Sequence, residues 1–256
     1  MLEITSASNA KFKYIKSLSA KKERVKHGEY TVEGKKSVSD AIASDRTVSV
    51  VAVSERFFNE ESFDYPKDAM LIKISDNIFG RLCDTTAPQG IIAVIKAEDN
   101  ADFIPDTSKA YVYCDGINDP GNLGTIIRTA DAAGFGGVIL SEGCADLYSP
   151  KTVRASMGSF FNMKVVTGKN FADLKRYADM GFKLIGGALG SDSIDYRSAD
   201  MSKPVIIVVG NEANGISDEV LKLCTRVKIP IIGKADSLNV SVAAGILMYE
   251  VVRGKS

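Results

Sequence analysis

Along the first hundred residues, apolar positions recur at two different periods. Ala10 to Leu18 carries them at helical spacing with lysines between, which predicts a helix, and Gly34 to Ala43 predicts another. Tyr30 to Val32, Val48 to Val53, Met70 to Ile74 and Gly90 to Ile95 are short apolar or β-branched runs and predict strands. Helices and strands in alternation imply a small layered α/β unit. The stretch from Ala97 to Lys109 is polar, carries Pro105 and lacks an apolar period. The expected division is therefore a first domain over 1–97, a linker over 98–109 and a second domain over 110–256.

Beyond the linker, β-α alternation becomes regular. Strands are predicted at Ala110 to Ile117, Gly137 to Leu140, Lys164 to Val166, Lys183 to Leu189, Val205 to Val209 and Arg226 to Ile231. Helices are predicted at Leu123 to Ala133, around Lys151 to Met157, and at Phe171 to Met180, Asp218 to Leu223 and Leu238 to Arg253. Fully apolar strands such as Val205 to Val209 imply a mostly parallel sheet with helices on both faces.

Composition adds exclusions more than assignments. Hydrophobic residues make up 45% and charged residues 25% of the 256, an ordinary globular balance. No apolar run reaches membrane-spanning length and the N-terminus has no signal-type core, so no membrane partner is expected. Cys83, Cys114, Cys144 and Cys224 are widely spaced without a C-x-x-C pair, which argues against a metal site and suits thiols in a cytoplasmic protein. Net charge is zero, yet residues 1–36 hold nine Lys and Arg against four Glu. Such a basic face either tracks phosphates or is a solvated helix surface. The single histidine, His27, lies outside the second domain, so Ser-His-Asp and Cys-His schemes lack a base.

Three segments follow strands of the second domain, where open α/β sheets bind ligands. In Asp115 to Thr129, Asn122 falls near a helix start and Arg128 about two turns on; the segment also reads as a well-capped turn with a surface arginine. In Val208 to Gly215, glycines admit a ligand to the backbone and Glu212 could hold a polar partner, or could be solvated. In Ile229 to Glu250, Ser237, Asn239 and Ser241 open an apolar helix. Capping accounts for the serine but not for an asparagine one turn inside an apolar face, where a buried amide needs partners. No G-x-G-x-x-G follows a first strand, which disfavours a conventional dinucleotide-binding domain.

In order and spacing these segments resemble the three motifs of the SpoU (TrmH-like) family of RNA 2'-O-ribose methyltransferases. N-x-x-x-x-x-R-T is met by Asn122, Arg128 and Thr129, and G-x-E-x-x-G by Gly210, Glu212 and Gly215. The third motif is met by Ile229, Pro230, Gly233, Ser237, Leu238, Asn239, Val240 and Ala243. The resemblance implies a SPOUT α/β domain with a deep trefoil knot, preceded by a smaller L30e-like α/β domain that binds substrate. Ile4 to Asn9, Glu33-Gly34-Lys35 and Pro88-Gln89-Gly90 stand where that first domain has comparable residues.

The resemblance further implies S-adenosyl-L-methionine (SAM) as cofactor, against Gly187, Ala188, Gly210, Ile229, Ile231 and Leu238. It implies a homodimer with the active site near the interface. The expected reaction is methyl transfer to a ribose 2'-hydroxyl of a structured RNA, rRNA ahead of tRNA; DNA lacks that hydroxyl and is excluded. Arg128 is the expected chemical centre, with Asn122, Glu212, Ser237 and Asn239 positioning the ribose, Arg128 and the cofactor. Lys11, Lys13, Lys21, Lys22, Arg24 and Lys35 are the expected RNA contacts. The competing reading is an RNA-binding SPOUT-fold protein without methyltransferase activity.

Overall fold

The computed structural model describes residues 1–98, 100 and 102–253. The chain forms two compact units, Met1–Asp99 with Tyr148–Phe161, and Asn100–Leu147 with Asn162–Ser256. The boundary thus differs from a single cut in the linker, because a short segment from the middle of the second half packs with the first unit. Aromatic contacts explain its place there: Tyr30 meets Tyr148 at 4.6 Å and Phe160 at 5.7 Å between ring centroids.

In the first unit, β1 (Leu2–Ile4), α1 (Ala10–Ser17), α2 (Lys21–His27), β2 (Glu29–Glu33), α3 (Lys35–Ala43), β3 (Val48–Ser54), α4 (Glu55–Glu60), β4 (Met70–Ile74), α5 (Asp76–Phe79) and β5 (Ile91–Lys96) follow one another. The sheet order is β1-β4-β3-β5-β2, with β5 antiparallel to both of its neighbours. In β3, Val50 and Ala52 join a core with Phe12, Ile15 and Leu18, while Val51 and Val53 are buried as well. Burial on both faces explains why this strand reads as a continuous apolar run rather than an alternation. Asn9 caps α1 by accepting from the Lys11 N–H, and the helix turns Phe12 and Ile15 inward and its lysines outward.

The second half runs β6 (Ala110–Asp115), α6 (Pro120–Ala132), β7 (Gly137–Ser141), α7 (Pro150–Ala155), α8 (Ser159–Asn162), β8 (Val165–Lys169), α9 (Phe171–Asp179), β9 (Lys183–Gly187), β10 (Ile194–Asp195), β11 (Val205–Gly210), α10 (Asp218–Leu221), β12 (Thr225–Lys228) and α11 (Val240–Val252). Its seven strands lie in the order β10-β12-β9-β11-β6-β7-β8, parallel at every pairing. From β6 the chain steps outward through β7 to β8, then returns to build the other half around β11. The carboxyl ends of β12, β9 and β11 thereby lie side by side, at the end of an open parallel sheet where ligands are taken.

Three predicted elements end early or start late, each for a local reason. The strand expected to reach Ile117 stops at Asp115, because Gly116 turns the chain with φ +68°. The strand expected to reach Ile231 stops at Lys228, before Pro230. The last helix begins at Val240, and Asn239 is its N-cap. The expectation of a buried asparagine inside the helix is therefore corrected. Asn239 is exposed, its Oδ1 accepting from the Ser241 and Val242 N–H groups.

Candidate functional site

A cavity of about 570 Å³ opens at the carboxyl ends of β9, β11 and β12. Gly187, Ala188, Gly210, Ile229, Ile231 and Leu238 all line it, as do Glu212, Ser237 and Asn239. The walls are mainly backbone and small or aliphatic side chains, with Leu247 of α11 closing one side. Gly210 is indispensable to this shape: a Cβ there would lie 2.1 Å from the Gly215 carbonyl carbon and the Ile216 nitrogen. A backbone loop pressed this closely against a strand end leaves an open, mostly apolar recess with a polar mouth, which fits a ligand of SAM's mixed character.

The polar mouth is held by one network spanning all three segments. Asp119 caps α6 by accepting from the Asn122 N–H at 2.9 Å. Glu212 accepts from the Asn118 and Asp119 N–H groups at 3.2 Å each and from Asn122 Nδ2 at 2.9 Å. Asn122 Oδ1 in turn accepts from Asn239 Nδ2 at 2.9 Å. Asn239 Oδ1, which also takes the Ser241 hydroxyl at 2.6 Å, is thereby committed to the start of α11. Partial burial raises the Glu212 pKa, but hydrogen bonds from Asn122 and the backbone outweigh it and hold the carboxyl below its ordinary value.

Two further residues shape the mouth. Asn211 Oδ1 accepts from the Ala213 and Asn214 N–H groups, while its Nδ2 donates to the Gly116 carbonyl at 2.9 Å. The Asp115 carboxylate accepts from the Ser217 N–H at 2.8 Å. Sequence reasoning passed over both. An asparagine opening a glycine-closed loop is an Asx-turn signal that could have flagged Asn211, whereas nothing local marks Asp115.

Arg128 is placed differently from the other predicted residues. It lies on α6 six residues beyond Asn122, exposed and outside the residues that line the cavity. In the first unit, Lys11, Lys13, Lys21, Lys22 and Lys35 are exposed. Lys35 pairs with Glu61 at 2.6 Å. Arg24 departs from its expected role as an RNA contact. It is 7% exposed, and its Nη1 donates to the carbonyls of Leu18 at 2.7 Å and Ser19 at 2.6 Å. A guanidinium turned inward to close the α1–α2 junction does not face phosphates.

The SpoU rRNA methylase family model matches residues 109–249, and the MRM3-like substrate binding domain model matches residues 9–93. A 23S rRNA (guanosine(2553)-2'-O)-methyltransferase RlmP of Bacillus subtilis is 35% identical over 256 residues, covering 98% of this chain and 99% of the relative. The AdoMet-bound rRNA methyltransferase from Sinorhizobium meliloti superposes with a TM-score of 0.87 at 32% identity, covering 98% of this chain and 97% of that one. The SpoU methyltransferase AviRb from Streptomyces viridochromogenes, in complex with AdoMet, gives 0.85 at 28% identity, over 96% and 98%.

Proposed function

The chain belongs to the SpoU rRNA methylase family, and from that premise we propose that it transfers a methyl group from SAM to a ribose 2'-hydroxyl of ribosomal RNA. The observation that carries this reading is the joining of Asn122, Glu212 and Asn239 into one hydrogen-bonded network at the mouth of the cavity. A protein that only bound RNA through this fold would have no use for such a mouth beside a cofactor-sized recess.

When bound, SAM supplies a methyl group activated on a sulfonium. Gly187, Ala188, Gly210, Ile229, Ile231 and Leu238 would hold it through backbone and apolar contact. Glu212, already anchoring the start of α6, keeps Asn122 oriented, and Ser237 and Asn239 border the space where a ribose would sit. Arg128 carries a guanidinium that stays protonated in proteins, so it does not serve as an ordinary base. Its role is to hold the phosphate beside the target ribose or to stabilise the oxyanion as the hydroxyl loses its proton.

Arg128 lies outside the cavity lining of its own chain, which favours a homodimer in which the site is completed near the interface. Val242 and Tyr249 of α11, 50% and 53% exposed, are apolar surface suited to such an interface. The strand order, with β12 outside β9 and α11 returning to pack on α6 and β11, suits the family's trefoil knot. The first unit would present Lys11, Lys13, Lys21, Lys22 and Lys35 to RNA phosphates. Among the described residues no helix is long and apolar enough to cross a membrane, and we place the reaction in the cytoplasm, without DNA as a substrate.

The test is incubation of the protein with methyl-labelled SAM and rRNA from a strain lacking the gene, followed by nucleoside analysis. Label in a 2'-O-methylated nucleoside is expected, and the guanosine named for the Bacillus relative is the first position to inspect. Label on a base, or none in RNA while SAM binds, would overturn the assignment.

A further inference from the structure

The first unit has a cavity of its own, of about 440 Å³. Two glycine-bearing loops far apart in sequence build one wall. Gly34, at φ +94°, opens α3, and a Cβ there would lie 2.9 Å from Gln89 Oε1. Gly90, at φ +81°, would bring a Cβ to 2.7 Å from Ser54 Oγ. Between them the Lys35 N–H donates to Gln89 Oε1 at 2.8 Å, locking the Glu33-Gly34-Lys35 loop to Pro88-Gln89-Gly90. The fold of an α/β unit does not by itself require these two loops to meet around a recess.

The recess has both signs of charge in its walls: Glu33, Asp40, Lys36 and Arg154, with the Gln89 amide and the Thr85 hydroxyl. Glu33 accepts from the Asp84 N–H at 2.6 Å and from Thr85 Oγ1 at 3.1 Å, and Lys36 holds Asp40 at 3.1 Å. A carboxylate has about four lone-pair sites, so each keeps capacity for another donor. Cys83 in the same wall is no nucleophile, since burial and then the Glu33 charge push its thiol up to about 12.

At the rim stands Met157, 66% exposed, with a left-handed backbone at φ 49°. Non-glycine residues held there are strained and gather at ligand clamps. The neighbouring Gly158 presses on Asp40, where a Cβ would come within 2.7 Å of Oδ2. A flexible thioether thus stands beside a recess of donors and acceptors.

We propose that this cavity takes the base of an unpaired nucleotide in the RNA substrate, its face against Met157 and its edge against Glu33, Asp40, Gln89 and Arg154. The inference rests on the reading of the first unit as RNA-binding. Sequence-selective RNA recognition works on splayed-out single-stranded bases, read along edges that carry donors and acceptors together. Walls of mixed charge match such an edge, whereas a bare phosphate would call for cations alone.

The experiment measures binding of the full chain to fluorescein-labelled single-stranded oligoribonucleotides of each base, and to an RNA duplex, by fluorescence anisotropy. Ser37→Leu fills the recess, Met157→Ala removes the rim contact, and thermal melting checks the fold. One base should bind tightest, and both variants should lose about tenfold in affinity for it, the scale of one base contact. The duplex should be insensitive, and the salt dependence unchanged because no phosphate contact is lost. Met157 is exposed, so its variant keeps the test valid if Ser37→Leu unfolds. Wild-type affinity in Met157→Ala, or equal losses on duplex and single strand, would overturn the proposal. Lys21→Glu separates the two readings: if it still weakens binding and flattens the salt dependence, only the cavity assignment falls. If it has no effect either, the RNA-binding reading of the unit falls with it.

Discussion

Asn239 Nδ2 donates to Asn122 Oδ1 at 2.9 Å, joining the N-cap of α11 to the first turn of α6 across 117 residues of sequence. Each asparagine is also tied elsewhere, Asn122 to Glu212 and Asn239 to the first turn of α11. The mouth of the cavity is therefore a single mechanical unit in which one deletion disturbs three segments.

Asn122→Ala removes the middle of this chain and leaves Glu212 and Asn239 without their shared partner. Misplacement of positioning groups by about 1 Å costs on the order of 10²-fold in rate. Methyl transfer should fall by at least that much, measured under single turnover. Calorimetric affinity for SAM should change far less, because Asn122 is not among the residues lining the recess. Equal losses in both would indicate collapse of the recess instead.

Glu212 gives the site a defined pH response. Its folded pKa lies below the ordinary value, so the hydrogen bonds it accepts contribute fully above the unfolded value, about 4.3. That contribution is lost only as pH falls through the depressed folded value. The mouth should thus stay formed through the range in which exposed glutamates protonate. A carboxyl resonance of Glu212 followed by NMR should titrate to the acid side of a free glutamate side chain, and in Asn122→Ala it should move back up.

Arg128 tests the proposal of a site shared between two copies of the chain. Arg128→Ala should abolish transfer while SAM still binds, and so should Asn239→Ala for a different reason. If Arg128 serves the cavity of the partner subunit, mixing the two inactive variants creates one intact site per mixed dimer. Activity should reappear on mixing after subunit exchange. No recovery, with mixed dimers demonstrated by mass spectrometry, would place Arg128 in its own chain's site.

Arg24 and the exposed lysines should separate cleanly. Arg24→Ala leaves the Leu18 and Ser19 carbonyls without their charged donor, at about 1.5–3 kcal/mol for such a bond. Its melting temperature should drop, with RNA affinity intact in the folded protein. Lys21→Glu should do the reverse, weakening RNA binding and its salt dependence at unchanged stability.

The sequence alone determined the parts whose signal is local. Strands such as β3 and β11 were legible because burial on both faces demands continuous apolar runs, and α1 because its lysines alternate with Phe12 and Ile15 at helical spacing. The three segments that meet at the cavity were legible as glycine-rich or polar stretches at strand and helix ends, whereas the six residues expected against SAM follow from the family resemblance and not from their local pattern. Short elements such as β1, α5 and β10 were not legible, because two to four residues carry too little pattern to stand out from loops.

Tertiary structure alone decided what depends on distant partners. Asn239 became an exposed cap bonded to Asn122 rather than a buried amide, because the helix starts two residues later than its apolar pattern suggests. Arg24 turned inward because carbonyls at the α1–α2 junction needed a donor, a requirement no count of charges reveals. Residues 148–161 joined the first unit because Tyr148 and Phe160 bury their rings on Tyr30. Asn239 and residues 148–161 are decided by contacts between segments remote in sequence, and Arg24 by a turn that brings carbonyls five and six residues earlier back onto its guanidinium. Periodicity along the chain carries no information about either kind of partner.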